Sequence, residues 1–203
     1  MTDDATAHNQ AAYDQIAVRY AERQTGLSPS FRDLAAAFTA RLPPRADVAD
    51  LGCGPAHEGA RLARAGHRVA GLDRSAGMLA HAAIALPGRV AQADLRRLPL
   101  ASESLDGVWC CAALLHVPHG ETGTALAEFR RVLRGGGHLA LVTALGQDSN
   151  LEPVPYAPGT GRWFFYREPG RLAGQLSAAR LHVLAMTEEP TSRHWVKVLA
   201  QAG

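Results

Sequence analysis

The chain has 203 residues, 47% of them apolar, and its 21 basic and 19 acidic side chains leave a net charge of +2. This length fits one domain of about 50 to 250 residues, so a second catalytic domain is not expected. The charges are spread along the chain without a basic block, which argues against nucleic acid as a partner.

Targeting and metal-binding signals are weak in this sequence. No run approaches the roughly 20 apolar residues that a membrane helix needs, and the start Met1-Thr2-Asp3-Asp4 is acidic and polar, unlike a secretory signal. The predicted location is the cytoplasm, with no membrane partner. The cysteines, Cys53, Cys110 and Cys111, form an odd count with two adjacent members, which argues against a disulfide framework and a spaced zinc site. We expect no metal; the sequence leaves the oligomeric state open.

Short β-rich runs alternate with longer helical stretches, a pattern typical of βαβ units and a mostly parallel sheet. Two helices, at 8–24 and 30–41, are predicted before the first strand, and two more at 57–65 and 76–85, with Gly66 placed to end the third. The predicted strands are 47–51, 67–72, 88–93, 105–111, 137–145, 181–187 and 194–200.

A further helix is predicted before the fifth strand. Its apolar positions, which follow the i, i+3, i+4 rule, are Leu126, Phe129, Val132 and Leu133. We expect Gly135-Gly136-Gly137 to end this helix. The segment 146–161, rich in proline, glycine and polar residues, is predicted to be a loop.

The run 48–55 ends in a turn that contains two glycines. Gly52 and Gly54 lack the Cβ atoms that would block the approach of the backbone to a ligand. Asp73 follows Gly54 by nineteen residues, at the end of the next apolar run, close to the expected interval of about 20 residues. Because parallel strands end at one edge of the sheet, this carboxylate is placed to accept from ribose hydroxyls. The pattern predicts a nucleotide-type pocket.

Together these landmarks resemble the class I S-adenosylmethionine-dependent methyltransferases, in particular their small-molecule, ubiquinone-type branch, from about Tyr13 onward. Segments 105–118 and 128–134 resemble the family's fourth strand and the helix that leads to its fifth. Its first three motifs are similar to Asp50-Leu51-Gly52-Cys53-Gly54, to Gly71-Leu72-Asp73-Arg74-Ser75 with Met78, and to Ala93-Asp94-Leu95 with Leu98-Pro99.

The resemblance implies both a fold and an activity. The fold is a single-domain α/β protein with a Rossmann-like, doubly wound sheet of seven strands, mostly parallel with an antiparallel last strand, plus N-terminal lid helices. Residues 1–44 would form the helical lid, 45–145 the cofactor-binding core, and 146–203 the acceptor segment and last strands. The activity is methyl transfer from S-adenosyl-L-methionine to a small-molecule acceptor by in-line displacement.

The resemblance also assigns residues to the methionine and ribose parts of the cofactor. Main-chain groups of Gly52, Cys53 and Gly54 would contact the methionine part, and Asp50 would hold its ammonium group directly or through water. Asp73 would accept from both ribose hydroxyls. The alternatives are that the glycines only permit a tight turn and that Asp73 caps the following helix, since Asp is a favoured N-cap residue.

The adenine part is assigned to a second group of residues. Asp94 would accept from the exocyclic amine, the Leu95 amide would donate to a ring nitrogen, and Met78 would pack on the base. Cys111 and Ala112 would complete an apolar slot. The alternative for Asp94 is a simple turn residue.

Three more residues belong to the implied cofactor site. Arg74 stands within the second motif. Tyr13 and Tyr20, seven residues apart, fall on one face of the first helix at close to two turns, from which a hydroxyl would reach the cofactor carboxylate. The alternative is that both tyrosines only pack the lid helix.

Methyl transfer from a sulfonium depends mainly on alignment, with about 3 to 3.5 Å between the reacting atoms, so a base is optional. If the acceptor must lose a proton, His116 is the candidate catalytic base, because it follows the fourth strand at the carboxyl edge of the sheet. A pocket-wall or structural histidine is the alternative. His57 and His119 are weaker candidates.

The N-terminal helices and the segment 147–167 are expected to choose the acceptor. The run Arg162-Trp163-Phe164-Phe165-Tyr166-Arg167 holds four aromatic side chains between two arginines. Aromatic rings would hold a planar or apolar acceptor and an arginine would pair with a carboxylate on it. The alternative is an extended segment that packs its rings over the sheet and leaves its arginines solvated.

Two other functions share parts of this pattern. A nicotinamide-dependent oxidoreductase also uses a glycine turn and a ribose-binding acid, but the third glycine of its fingerprint would fall at His57, and neither a Tyr-x-x-x-Lys pair nor a substrate domain is visible. A non-catalytic S-adenosylmethionine-binding module remains open, because methyl transfer needs no invariant catalytic side chain.

Overall fold

The computed structural model describes residues 2–24, 26–191 and 193–203. Met1, part of the acidic start, lies outside the described residues. The helices are α1 (Thr2–Arg23), α2 (Arg32–Thr39), α3 (His57–Arg64), α4 (Ala76–Ala85), α5 (Thr122–Val132) and α6 (Pro169–Ala178). The strands are β1 (Asp47–Leu51), β2 (Arg68–Asp73), β3 (Val90–Gln92), β4 (Leu105–Cys111), β5 (Leu133–Ala144), β6 (Ser149–Val154), β7 (Ala157–Phe165), β8 (Leu181–Pro190) and β9 (His194–Ala202).

Seven of these strands form one sheet in the order β3-β2-β1-β4-β5-β9-β8. The pairs from β3 to β5 are parallel, and β9 lies antiparallel to both of its neighbours, β5 and β8. The predicted Rossmann-like sheet with an antiparallel last strand is therefore confirmed. Four of the five residues of β1 are buried, as expected for a central parallel strand that helices cover on both faces.

The helix boundaries follow local chemistry. Helix α4 begins after Ser75, whose hydroxyl oxygen accepts from the Met78 amide at 3.0 Å. Helix α3 ends at Arg64, and Gly66 follows with φ +96°, so the predicted helix end at this glycine is confirmed. The predicted helix at 8–24 begins earlier, at Thr2. The predicted helix at 30–41 is a short 3-10 turn followed by α2.

The predicted role of the three consecutive glycines was wrong. Helix α5 already ends at Val132, and Gly135-Gly136-Gly137 lies inside β5. Between the pairs Leu105–Leu133 and Gly107–His138 the register of β4 and β5 shifts, so β5 carries extra residues there. Gly136 has φ +79°, a conformation that glycine adopts without strain. The glycines therefore form a strand irregularity and do not stop the helix.

The predicted loop at 146–161 was also wrong, because most of it forms the antiparallel β6–β7 hairpin. The prolines and glycines that suggested a loop are tolerated because a two-stranded sheet has only edges, where a missing N–H costs little. Val154, Thr160 and Phe164 are buried on the side of the hairpin that packs on the protein. The hairpin lies against α1, so it covers the same end of the sheet.

Helix α1 is fastened across the carboxyl ends of the strands. Its residues Ile16 and Ala17 pack with Met78 of α4 and with Val154 of the hairpin in one buried cluster. Among the described helices, none is both long and apolar enough to span a bilayer. The edge of the sheet, α1 and the hairpin together enclose the site described next.

Candidate functional site

Two adjoining compartments lie between α1, the hairpin and the carboxyl ends of the parallel strands. The first, the sheet-edge cleft, has a volume of about 120 Å³, and all but two of the predicted site residues line it: Tyr13, Tyr20, Gly52, Gly54, Asp73, Arg74, Met78, Asp94, Leu95, Cys111, Ala112 and His116. The second, the aromatic cavity, has a volume of about 560 Å³ and contains the other two, Asp50 and Cys53, in its lining. The structure thus brings all predicted site residues to one region.

The glycine turn after β1 is held against β2, since the amides of Gly52 and Cys53 both donate to the Leu72 carbonyl. Gly52 has φ +66°, and a Cβ on it would lie 2.2 Å from the Ala113 Cβ. Gly54 has φ +51° but only the Tyr20 ring nearby, at 3.8 Å. Position 52 therefore requires glycine because of packing within the turn. Position 54 has space beside it and faces the cleft.

Asp73, the last residue of β2, is fixed by two backbone amides. One oxygen accepts from Gly54 at 2.9 Å and the other from Ser75 at 2.8 Å. Burial raises the pKa of this carboxyl, and the amide donors oppose the rise. Since Ser75 caps α4, Asp73 is not the cap of that helix. An ionised carboxylate has about four acceptor sites, so acceptor capacity remains for a ligand.

Asp94 is bound by arginines. Its oxygens accept from the side chains of Arg74 and Arg96, and one of them also accepts from the Arg96 amide at 2.9 Å. Burial would raise the pKa of Asp94, but these hydrogen bonds and charges lower it below its ordinary value. The hydrogen bond from the Arg96 backbone amide is typical of a turn residue, which was the alternative for Asp94. Any ligand group that contacts Asp94 also meets the two arginines beside it.

Asp50 and Cys53 line the aromatic cavity and not the cleft. An Asp50 oxygen accepts from the Gly59 amide at 2.9 Å. Burial, and then the charges of Glu58 and Asp73, raise the pKa of Asp50 to about 7. Burial also raises the pKa of the Cys53 thiol, which therefore stays protonated. Near neutral pH the Asp50 carboxyl is poised between its two charge states.

Tyr13 and His116 form a hydrogen-bonded pair where the two compartments meet. The Trp163 carbonyl lies 2.8 Å from His116 Nδ1, so Nδ1 donates to it. His116 Nε2 then accepts from the Tyr13 hydroxyl at 2.7 Å, and Arg162 Nη1 donates to the same hydroxyl at 3.2 Å. Tyr20 packs edge-on against Tyr13 at a centroid distance of 5.8 Å. Both ring nitrogens of His116 are therefore engaged.

The charge state of His116 follows from its surroundings. Burial, followed by the charges of three nearby arginines, lowers its pKa to about 4, although the Trp163 carbonyl opposes this. Burial likewise raises the pKa of Tyr13. Both groups are neutral at pH 7. Of the weaker histidine candidates, His57 lines the aromatic cavity, whereas His119 lies 3.1 Å from Arg167 and lines neither compartment.

The side chains of the predicted acceptor segment alternate between the cavity and the opposite face of β7. Arg162 and Phe164 line the aromatic cavity, and Trp163 and Phe165 do not, because successive side chains of a strand point to opposite faces. Arg167 is buried and donates to the carbonyls of Leu114 and Val117, at 2.8 and 2.5 Å. Further aromatic residues in the lining are Phe31, Trp109, Tyr156 and Trp195.

Sequence reasoning missed several residues that shape the site. Asn9 Oδ1 accepts from the Trp163 amide at 2.6 Å and its Nδ2 donates to the Trp163 carbonyl at 2.9 Å, which fastens α1 to the hairpin. Asp14 accepts from the Ser75 hydroxyl and the Gly77 amide, which fastens α1 to α4. Asn9 lies one helical turn before Tyr13, so extending the Tyr13–Tyr20 face backward would have found it.

Comparison with known proteins identifies relatives over much of the chain. A family model described as a methyltransferase domain matches residues 49–141. Malonyl-[acyl-carrier protein] O-methyltransferase of Enterobacter lignolyticus is 40% identical over 121 residues, which cover 58% of this chain and 47% of that protein. Trans-aconitate 2-methyltransferase of an Azoarcus species is 35% identical over 170 residues, which cover 82% of this chain and 60% of that protein.

One solved structure extends the comparison to the whole fold. It is the Burkholderia thailandensis 1,6-didemethyltoxoflavin-N1-methyltransferase, solved with 1,6-didemethyltoxoflavin and S-adenosylhomocysteine bound. Its TM-score is 0.78 at 21% identity, and the match covers 100% of this chain and 90% of that one. At this identity the likeness shows the fold alone. The chain spans about half of the first curated relative and about 60% of the second.

Proposed function

We propose that the protein is an S-adenosylmethionine-dependent methyltransferase that acts on a small molecule, because its residues 49–141 match a family model described as a methyltransferase domain. The observation that carries the proposal is the meeting of two compartments at one edge of the sheet. The sheet-edge cleft presents Gly54, Asp73 and Met78, and the aromatic cavity opens beside it. The cleft would take the adenosine part of the cofactor, the amino-acid part would reach Asp50 in the cavity lining, and the rest of the cavity would take the acceptor.

The residues of the cleft fit the cofactor chemically. Asp73 keeps acceptor capacity for ribose hydroxyls after binding the Gly54 and Ser75 amides. Gly54 leaves space for a close approach, and Met78 lines the cleft with an apolar side chain on which a flat base would pack. Asp50, in the adjoining cavity lining, is the acid available for the ammonium group. Leu95, Cys111 and Ala112 would complete the apolar slot.

One of the assigned roles, that of Asp94, needs a rearrangement of neighbours. Asp94 would accept from the adenine amine only in competition with Arg74 and Arg96, which already bind its oxygens. Tyr13 or Tyr20 would reach the cofactor carboxylate from the lid face, as the resemblance implies. Arg74 is held between Gln10 and Asp94, so its proposed part is to keep Asp94 ionised and oriented.

Bound S-adenosylmethionine supplies an activated methyl group, and the protein supplies alignment and exclusion of water. Helix α1 and the hairpin cover the junction, where Tyr13 and His116 lie. If the acceptor loses a proton, we propose that His116 receives it, which requires that Tyr13 release Nε2. Its low pKa makes His116 a weak base that is always in the receptive form at neutral pH.

One observation supports a second candidate function, that of a cofactor-binding module without turnover. Both ring nitrogens of His116 are engaged, as in the structural-histidine alternative. A cofactor-binding module without turnover would show the same contacts. A nicotinamide-dependent enzyme has no comparable support, since the family match is to a methyltransferase domain.

Isothermal titration with S-adenosylmethionine, S-adenosylhomocysteine and NAD tests the proposal. We expect micromolar affinity for the two sulfur compounds and none for NAD. Binding of NAD alone would overturn the proposal, and binding of none of the three would leave only the fold. Methylation of an acceptor in a screen, followed with a methyl-labelled cofactor, would then separate an enzyme from a binding module.

Several sequence predictions belong to the same proposal. They are the division into a lid (1–44), a core (45–145) and an acceptor segment (146–203), the cytoplasmic location, and the expectation that neither nucleic acid nor a membrane is a partner. Limited proteolysis tests the division and cell fractionation tests the location. The small-molecule acceptor is supported by the names of the relatives, one of which acts on trans-aconitate.

A further inference from the structure

We propose that the acceptor in the aromatic cavity is a planar or apolar carboxylic acid and that the guanidinium of Arg162 binds its carboxylate. This inference rests on the proposed function, because it names the substrate class of the same site. Arg162 lies on β7 and lines the aromatic cavity but not the sheet-edge cleft. It therefore lies on the cavity side of the junction at Tyr13.

The surroundings of Arg162 place its guanidinium near two aromatic rings and give it no direct ion pair with a carboxylate of the described residues. Its Cζ lies 5.3 Å from the ring centroid of Tyr13 and 5.4 Å from that of Phe164, so two rings support the guanidinium plane. Nη1 donates to the Tyr13 hydroxyl, whereas Nε is buried without a hydrogen-bonding partner in the described part of the chain. Among the described residues, no carboxylate forms an ion pair with Arg162.

The two other arginines nearby differ from Arg162 in this respect. Arg193, also in the cavity lining, forms an ion pair with Glu152, with Nη2 and Oε2 2.5 Å apart. Arg167 is surrounded by carbonyl oxygens and lines neither compartment. Among these three, only Arg162 combines access to the cavity with the lack of a direct ion pair: Glu152, opposite it on β6, pairs with Arg193 and acts on Arg162 at longer range. A partly buried charge without a partner costs free energy, which an anionic ligand would recover.

The shape of the guanidinium and the lining of the cavity indicate which class of anion would bind. A planar carboxylate matches the N–H fork of arginine in a way that a point anion does not. The rings of Phe31, Tyr156, Phe164 and Trp195 surround the space beside it, which favours a flat or apolar body over a hydrated one. The cavity volume of about 560 Å³ leaves room for such a body.

The test compares 2-naphthoate with 2-naphthamide, which share a flat body and differ in charge. Both are titrated into the whole protein with and without saturating S-adenosylhomocysteine. The wild type is expected to bind the acid at least about tenfold more tightly than the amide, as a charge-assisted fork predicts. Arg162→Gln is expected to lose this preference and Arg162→Lys to keep part of it. Arg89→Gln, which removes an exposed charge outside both compartments, is expected to keep all of it.

Two results would overturn the proposal directly. They are the absence of any acid preference in the wild type, and an unchanged preference in Arg162→Gln. The carboxylate of the cofactor is the other source of the same chemistry, so S-adenosylhomocysteine is compared with 5′-methylthioadenosine, which lacks the amino-acid part. If Arg162→Gln weakens only S-adenosylhomocysteine binding and keeps the acid preference, the arginine serves the cofactor and the proposal is wrong.

The design also separates this proposal from the proposed function. If the wild type binds no S-adenosylhomocysteine, the proposed function fails. The titrations without that compound then still decide whether Arg162 forms a carboxylate site, because they need no cofactor.

Discussion

The sheet-edge cleft and the aromatic cavity share Tyr13 and His116 but are built by different means. The cleft is formed mainly by the turns that follow the parallel strands, where amides of residues such as Gly54 hold the carboxylate of Asp73. The cavity is formed by large side chains from the 3-10 turn, the hairpin and β9, among them Trp195. A compartment made of backbone keeps its shape when side chains change, whereas one made of side chains can be altered by single substitutions. We therefore expect the cleft to keep its ligand when side chains are substituted, and the cavity to determine which acceptor binds.

Asp73→Ala is expected to have the largest effect, because the cleft depends on this carboxylate. The substitution removes the acceptor for the ribose hydroxyls, which costs roughly 1.5 to 3 kcal/mol per lost bond. The affinity for S-adenosylhomocysteine, measured calorimetrically, is expected to fall at least about a hundredfold. Asp47→Ala is the control, since Asp47 pairs with Arg68 at the opposite end of the strands. Unchanged affinity in Asp73→Ala would refute its placement at the cofactor.

Gly52→Ala tests whether the turn that shapes the cleft needs glycine for its own packing. The new Cβ would meet the Ala113 Cβ at 2.2 Å and the residue would keep φ +66°, so we expect the free energy of unfolding to fall by about 2 to 4 kcal/mol. Gly54→Ala is the matched variant, because its φ is also positive but the nearest atom is 3.8 Å away; about 1 to 2 kcal/mol is expected there. Equal losses in denaturant titrations would contradict the packing explanation.

His116, at the junction, is expected to make stability depend on pH. Its pKa of about 4 in the folded protein lies below the value of about 6.5 for an unfolded chain. The stabilising contribution is therefore complete above about pH 6.5 and is lost as the pH falls toward 4, by at most about 3 kcal/mol. The difference in unfolding free energy between the wild type and His116→Gln isolates it. A difference that stays constant from pH 7 to pH 4 would show that the ring is not shielded.

Substitution of Asp50 is expected to have the smallest effect on cofactor affinity at pH 7, where part of the carboxyl is already protonated. Asp50 lines the cavity, so this effect tests whether the cofactor reaches it. Its pKa of about 7 means that half of the carboxyls are protonated at neutral pH, while an ammonium group binds only the ionised form. Affinity for S-adenosylhomocysteine is therefore expected to fall as the pH drops below 7, approaching about tenfold per pH unit. Asp50→Asn is expected to bind more weakly with a flat profile. Identical pH profiles for the two proteins would separate Asp50 from the cofactor.

The parts of the fold that were predictable from the sequence are those specified by local patterns. The bounds of β1, β4 and α4 agree with the prediction, because apolar runs and a Ser cap mark them within a few residues. The two errors involve longer-range pairing. The glycines at 135–137 were misassigned because they lie between two positions of β5 that pair with β4, and the hairpin was missed because its prolines occupy a two-stranded sheet with only edges.

The same distinction holds for the site. The cleft residues belong to short motifs with defined spacing, so they were found from the sequence. The cavity residue Arg193 stands alone near the end of the chain, and only the fold brings it over Phe164, with its Cζ 4.3 Å from the ring centroid. Alternation along β7 would have separated Arg162 and Phe164 from their neighbours, but the segment had first to be recognised as a strand.

The fastening of α1 determines by which route molecules reach the interior. Asn9 and Asp14 tie the helix to two different elements through four hydrogen bonds, each worth about 0.5 to 1.5 kcal/mol, so lifting the whole helix for every passage would be slow. The aromatic cavity instead continues past Gln24 and Ser28 into a surface groove. Arginines line that groove, namely Arg23, Arg32, Arg61 and Arg64. Glu58 also lines the groove and pairs with Arg61, so the other three arginines leave the doorway with a net positive charge, which attracts anions before any selective contact is made.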